Sequence, residues 1–331
     1  MGKSRYFLWS LTGAAAALTA AAYVTYRGRR RVALARMAEG SQVIETARGP
    51  LECAVLGEGP AVLVLHGGGG GYPSCLPLVD SEAGFRYIIP SRPGYLRTPL
   101  ETGRSPEEQA DACAALLDAL GVKKAAVWGM SGGGPAAIHF ALRHPRRCWA
   151  LVLLSAINQP VPPFPSAMQF ILCTMRAPDF IPWLLLGTPL RDLLVGRRFW
   201  QQVGGSVEKR SMYHRLMESL YLFSRSLPGI LNDMQCIAEA VCGLEEVHAP
   251  TLVLHGDSDT VVPYANGERA AIQIPGARFV TIPGGDHLCY ITHLEITRPA
   301  VYEFLKAHVP PPAAKRRSQK SRAAGDHPIQ Q

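Results

Sequence analysis

Six short runs along the chain are almost unbroken in apolar residues: 61–66 (AVLVLH), 87–90 (YIIP), 125–129 (AAVWG), 150–155 (ALVLLS), 251–256 (TLVLHG) and 277–284 (ARFVTIPG). Runs of this kind suit strands buried on both faces, as in a parallel sheet covered by helices on each side. Between the second and third, Ser105-Pro106-Glu107-Glu108 forms a capping box with proline at the first helical position. Ala110, Cys113, Ala114, Leu117 and Leu120 then make one apolar stripe, and Gly121 ends the helix. Strand, helix, strand is a crossover unit. Ahead of it, 43–47 and 51–56 flank Arg48-Gly49-Pro50 and read as an antiparallel hairpin at a sheet edge. The pattern predicts an α/β chain with a doubly wound, mostly parallel sheet.

Three segments break this rhythm. Residues 6–25 carry no charge, which is long enough for a helix to cross a hydrocarbon core of about 30 Å. Tyr6, Trp9, Tyr23 and Tyr26 lie toward the ends of that stretch, as an interfacial belt would, and Arg27, Arg29, Arg30 and Arg31 follow. The expectation is a single-pass N-terminal transmembrane helix with its basic flank over 1–36, leaving the folded domain on the cytoplasmic side by the positive-inside rule. The alternative is a secreted chain after cleavage of a signal peptide near Ala20-Ala21-Ala22. Between the fourth and fifth runs, 161–248 is helical in pattern and rich in large apolar groups, among them Phe164, Met168, Phe170, Met175, Phe180, Trp183, Phe199 and Trp200. It reads as an inserted helical lid that divides a core of 41–160 and 249–309. From 310 to 331 the chain has little to bury and reads as a disordered basic tail.

The net charge of +8 suggests nucleic acid until it is divided by region. The first 36 residues hold +7 and the last twenty +4, so everything between them is −3. A basic groove on the folded domain is excluded, and no nucleic-acid partner is expected. Eight cysteines lie scattered in apolar segments without a CxxC pair, which favours buried free thiols. No zinc-like spacing occurs, and neither metal nor organic cofactor is expected.

Chemistry is concentrated at strand ends. Gly129-Met130-Ser131-Gly132-Gly133 fits G-x-S-x-G between the third run and a following helical pattern, the strand-to-helix context in which small neighbours let a serine sit on a sharp turn. Asp259 follows the fifth run and His287 follows the last, so both can reach the sheet edge where Ser131 lies. Serine, base and carboxylate are the parts of nucleophilic acyl transfer. Asp257 is the near alternative to Asp259. Asp286 reads as a loop-capping residue.

Together HGGGGG at 66–71, SRPGYLRTP at 91–99, GMSGG, HGDSDTVVP and GGDHL resemble the serine α/β-hydrolase superfamily over about residues 41 to 310, in its esterase- and lipase-like, lid-containing branch. The resemblance implies Ser131 as nucleophile, His287 as general base and Asp259 as its orienter. It also implies an oxyanion hole from the backbone N–H groups of Gly132 and Gly68, with His66 shaping that loop. The triad together with the apolar insert leads to the expectation of a small apolar ester as substrate; the resemblance itself does not fix the substrate. The rivals are a C–C bond hydrolase, an acyltransferase or perhydrolase using the same triad, and a non-catalytic binding protein on this fold. The sequence departs from the family turn D-R-P-G-Y-G at Ser91 and Leu96, so the loop is expected to bend differently and present Leu96 or Tyr95 to the pocket.

Overall fold

The computed structural model describes residues 2–161, 179–186, 190–219, 222–238 and 242–311. Strands β1 (Gln42–Thr46), β2 (Gly49–Leu56), β3 (Ala61–Leu65), β4 (Arg86–Pro90), β5 (Ala125–Met130), β6 (Cys148–Leu154), β7 (Thr251–Gly256) and β8 (Arg278–Ile282) form one sheet in the order β1-β2-β4-β3-β5-β6-β7-β8. The hairpin β1/β2 and the β2/β4 pair are antiparallel, whereas every pair from β4 to β8 is parallel. The expected mostly parallel sheet is present.

Its central strands are apolar without alternation because each face has a helical cover. Val62, Val64, Trp128, Val152 and Leu254 face a core shared with Tyr290, Val301 and Phe304. Leu63, Leu65, Val127, Leu151 and Val253 face the other, against α2 (Pro106–Ala119) and α3 (Gly134–Arg143). α2 begins as its capping box predicts: Ser105 Oγ accepts from Glu108 N at 3.3 Å while Glu108 Oε2 accepts from Ser105 N at 3.2 Å. Gly121, at φ +67°, carries the chain out of that helix.

The insert between β6 and β7 contains, among the described residues, α4 (Phe180–Leu186), α5 (Leu190–Val203), α6 (Val207–Ser219) and α7 (Phe223–Ala238). Phe164, Met168, Phe170 and Met175 lie outside the described residues, as do 312–331 of the expected tail. Phe199 is buried against Tyr213 at 4.8 Å and Trp200 at 5.2 Å, and these large groups join the core on the sheet face that holds Trp128, Tyr290 and Phe304. After β8, the short α9 (Cys289–Thr292) and α10 (Leu294–His308) close the fold, with α8 (Ala265–Gln273) between β7 and β8.

The N-terminal segment departs from expectation. It is a single helix, α1 (Gly2–Glu39), that runs straight through the arginine block. Among the described residues no helix is long and apolar enough to cross a membrane, so a span over 6–25 gains no support. Seven of those twenty residues are alanine, and alanine contributes little to transfer into hydrocarbon. Tyr26, read as part of an interfacial belt, is instead buried, its ring 5.6 Å from Trp183 and 5.5 Å from Phe180 on α4. Beside this contact Arg30 Nε stands 3.6 Å from Asp179, whose carboxylate also accepts from Ser224 N and Oγ at 2.7 Å each.

Candidate active site

Ser131 leaves β5 with φ 49°, a left-handed conformation that is uncommon for a residue with a side chain and stores strain at a turn. Two glycines make the turn possible. A Cβ on Gly129 would lie 2.5 Å from that of Ala137 on α3, and one on Gly67 would lie 2.9 Å from Ser131 Cβ. Strand, turn and helix therefore approach more closely than any larger residue allows. Ser131 Oγ stands ahead of α3, where the helix dipole favours developing negative charge.

His287, between β8 and α9, places Nε2 3.0 Å from Ser131 Oγ and Nδ1 2.8 Å from Asp259 Oδ2. Asp259, in the loop after β7, is buried, and its Oδ1 accepts from Val261 N and Val262 N at 2.9 Å each. Burial pushes this carboxyl up, but hydrogen bonds from His255 and His287, with the backbone of Val262, outweigh it and hold the group well below the usual carboxylate range. An anionic Asp259 fixes the proton of His287 on Nδ1, which leaves the Nε2 lone pair facing the serine. The arrangement can take the Oγ proton and stabilise the imidazolium that results. Asp257 turns away, accepting from Gly284 N at 2.7 Å, and Asp286 caps its own loop through Leu288 N at 2.9 Å.

On the opposite side of Ser131, the Gly68 amide nitrogen stands 3.5 Å from where a Cβ on Gly132 would be, so the two expected oxyanion donors are neighbours. His66 shapes this loop. Its Nε2 accepts from Arg92 N at 2.9 Å, so Nδ1 carries the proton and donates to Gly67 O at 2.6 Å. Burial and the Arg92 charge hold this imidazole well below its ordinary pKa, hence neutral. Arg92 is itself buried and donates from Nε to His66 O at 2.8 Å and from Nη2 to Gly67 O at 3.4 Å. Its charge is met by Asp233 of α7, which accepts from Nη1 at 2.8 Å and from Nη2, and which Tyr95 OH also reaches at 2.6 Å.

A model of the alpha/beta hydrolase fold matches residues 60–294, which contain Ser131, Asp259, His287 and both amide-bearing glycines. The chain belongs to the alpha/beta hydrolase family. It is 26% identical over 267 residues to a 2-hydroxy-6-oxo-6-phenylhexa-2,4-dienoate hydrolase of Burkholderia cepacia, covering 75% of this chain and 88% of that one. It is 28% identical over 250 residues to a pimeloyl-[acyl-carrier protein] methyl ester esterase of Aromatoleum aromaticum, covering 71% and 94%. Among solved structures, an alpha/beta hydrolase fold protein from Nakamurella multipartita superposes with a TM-score of 0.68 at 32% identity, covering 81% of this chain and 99% of its own.

This alpha/beta hydrolase accommodates its two departures from the family turn. Leu96 adopts φ 52°, the conformation a glycine would take there, at a cost of about 1–2 kcal/mol. The side chain contacts the Gly71 region and lines, with Leu34, Met37 and Leu222, a cavity of about 170 Å³ beside α1. Ser91 lacks a carboxylate, and β2 supplies one instead: Ser91 Oγ donates to Glu52 Oε2 at 2.9 Å, and Arg97 Nε donates to Glu52 Oε1 at 2.7 Å. Tyr95 turns to Asp233. Sequence reasoning did not single out His255, whose Nε2 lies 3.4 Å from Asp259 Oδ2. A pointer existed, since His255 lies near the end of the same strand that leads into Asp259. It also missed Arg92 and Asp233, which are 141 residues apart.

Proposed function

We propose that the protein is a serine hydrolase that cleaves an apolar carboxylic ester through an acyl-enzyme. The observation that carries this reading is the continuous path from Ser131 Oγ through His287 to the anionic Asp259, set beside two backbone amides. Ser131 attacks the acyl carbonyl as His287 Nε2 takes its proton. The tetrahedral oxyanion forms beside the Gly68 and Gly132 N–H groups, and collapse expels the alcohol with the proton returned by His287. Water then repeats the sequence on the acyl-serine and releases the acid. The insert serves as the lid over an apolar acyl pocket.

The dienoate hydrolase relative favours a second reading, hydrolysis of a C–C bond in a keto acid. Such a substrate brings its own carboxylate. The guanidinium nearest Gly132 is already neutralised by Asp233, which supports an uncharged ester over that anion. Hydrolysis measured side by side on uncharged esters of graded chain length and on a 2-hydroxy-6-oxo-dienoate decides between them. Ester turnover with fluorophosphonate labelling of Ser131 is expected; turnover of the dienoate alone overturns the ester reading.

A further inference from the structure

We propose that Arg92 and Asp233 are a positioning pair for the oxyanion site, through which the insert sets the direction of the Gly68 N–H. This rests on the serine-hydrolase reading above.

Gly67 O and the Gly68 N–H belong to one planar trans unit, so whatever holds the carbonyl aims the amide in the opposite direction. Gly67 O is held twice, by His66 Nδ1–H at 2.6 Å and by Arg92 Nη2 at 3.4 Å, and the preceding carbonyl of His66 is held by Arg92 Nε at 2.8 Å. One rigid guanidinium therefore grips two successive carbonyls of the loop, which a lysine cannot reproduce. Donation to a carbonyl also polarises its peptide and strengthens the N–H at the other end as a donor.

The guanidinium needs its own fixing. Asp233 takes both Nη groups, Gln109 Oε1 takes Nη1 at 3.1 Å, and the Tyr95 ring lies 5.1 Å from the guanidinium carbon while its hydroxyl bonds Asp233. Asp233 comes from α7, held to the family turn by Gly229 N donating to Gly94 O at 2.9 Å and by Leu96 N donating to Arg225 O at 2.8 Å. The cluster also borders the second amide: Asp233 Oδ2 and Arg92 Nη2 lie 3.5 and 3.7 Å from where a Cβ on Gly132 would be. Docking of the insert is in this way read directly at the place where the oxyanion forms. Neither residue touches the substrate; both act through the loop.

The test is Asp233→Asn in the full chain, assayed on a short uncharged ester and titrated with a trifluoromethyl ketone and with a product carboxylic acid. Losing the aim of one oxyanion donor is expected to lower kcat about 10- to 100-fold with KM little changed. Affinity for the ketone, which forms a tetrahedral adduct, should fall by a similar factor, and affinity for the acid should hold. Tyr95→Phe, which removes one bond to Asp233, should move the same quantities less, and it carries the test if the first variant does not fold. Arg92→Lys should not restore the wild-type split. A folded variant with kcat within about twofold of wild type, or with ketone and acid affinities reduced alike, overturns the proposal. A wild-type chain that neither cleaves esters nor labels with fluorophosphonate overturns instead the reading on which it rests.

Discussion

Two buried carboxylates flank Ser131, and they differ in the partner each one binds. Asp259 faces an imidazole that, in the mechanism proposed above, takes up and releases a proton, whereas Asp233 faces a guanidinium that stays charged at every accessible pH. The first arrangement is built for transfer and the second for holding still. The carboxylates enter by different routes as well: Asp259 lies three residues beyond a central strand, while Asp233 arrives on a helix of the insert.

Ser131→Ala removes the group both sides serve and gives the largest expected effect, a fall in kcat of about 10⁴- to 10⁶-fold with thermal stability retained. Stopped assays at equal folded concentration check it, and comparable turnover would break the comparison outright. Asp259→Asn comes next. It loses the anion that fixes the His287 tautomer, and kcat should drop about 10⁴-fold with little change in KM; a loss no greater than that of Asp233→Asn would erase the distinction between the two sides.

A third expectation concerns stability against pH. The carboxyl of Asp259 is depressed in the folded state, so its contribution is present above its unfolded value of about 4 and is lost as pH falls further. His66 acts earlier. The fold keeps it neutral while the unfolded chain accepts a proton near pH 6.5, so stability should already decline below that point. Melting curves from pH 8 to 3 should show the wild type losing stability over both windows, with Asp259→Asn losing less than the wild type in the lower window and the same amount in the upper one. The smallest effect is away from the site: Ser105→Ala should cost about 1 kcal/mol of stability through its lost cap on α2 and leave kcat unchanged.

The different routes of the two carboxylates also separate what is legible in the sequence from what is not. Strands buried on both faces write unbroken apolar runs, and β7 matches its expected run of 251–256 from end to end. Ser131, Asp259 and His287 were readable because each lies just past a strand, so a one-dimensional pattern fixes a position in space. Asp233 had no such address. On an amphipathic helix it resembles a solvated charge, and only the tertiary docking of α7 brings it to Arg92. Tyr26 misled for the same reason, since an aromatic beside arginines suits a lipid boundary as well as it suits a ring on α4.

That contact between α1 and α4 bears on where the chain can be shortened. At about 1.5 Å per residue α1 is close to 57 Å long, and Leu18, one turn before Ala22, is exposed and lies outside the part that grips the body. A version beginning at Arg36 would strip Tyr26 and Arg30 from the molecule, uncover Trp183 and leave Asp179 without its cation. Sticky, poorly behaved preparations are the expected result. A boundary before Ala22 keeps the clasp of Ala22, Tyr26, Phe180 and Trp183 whole, which makes it the better starting point for purification and crystallisation.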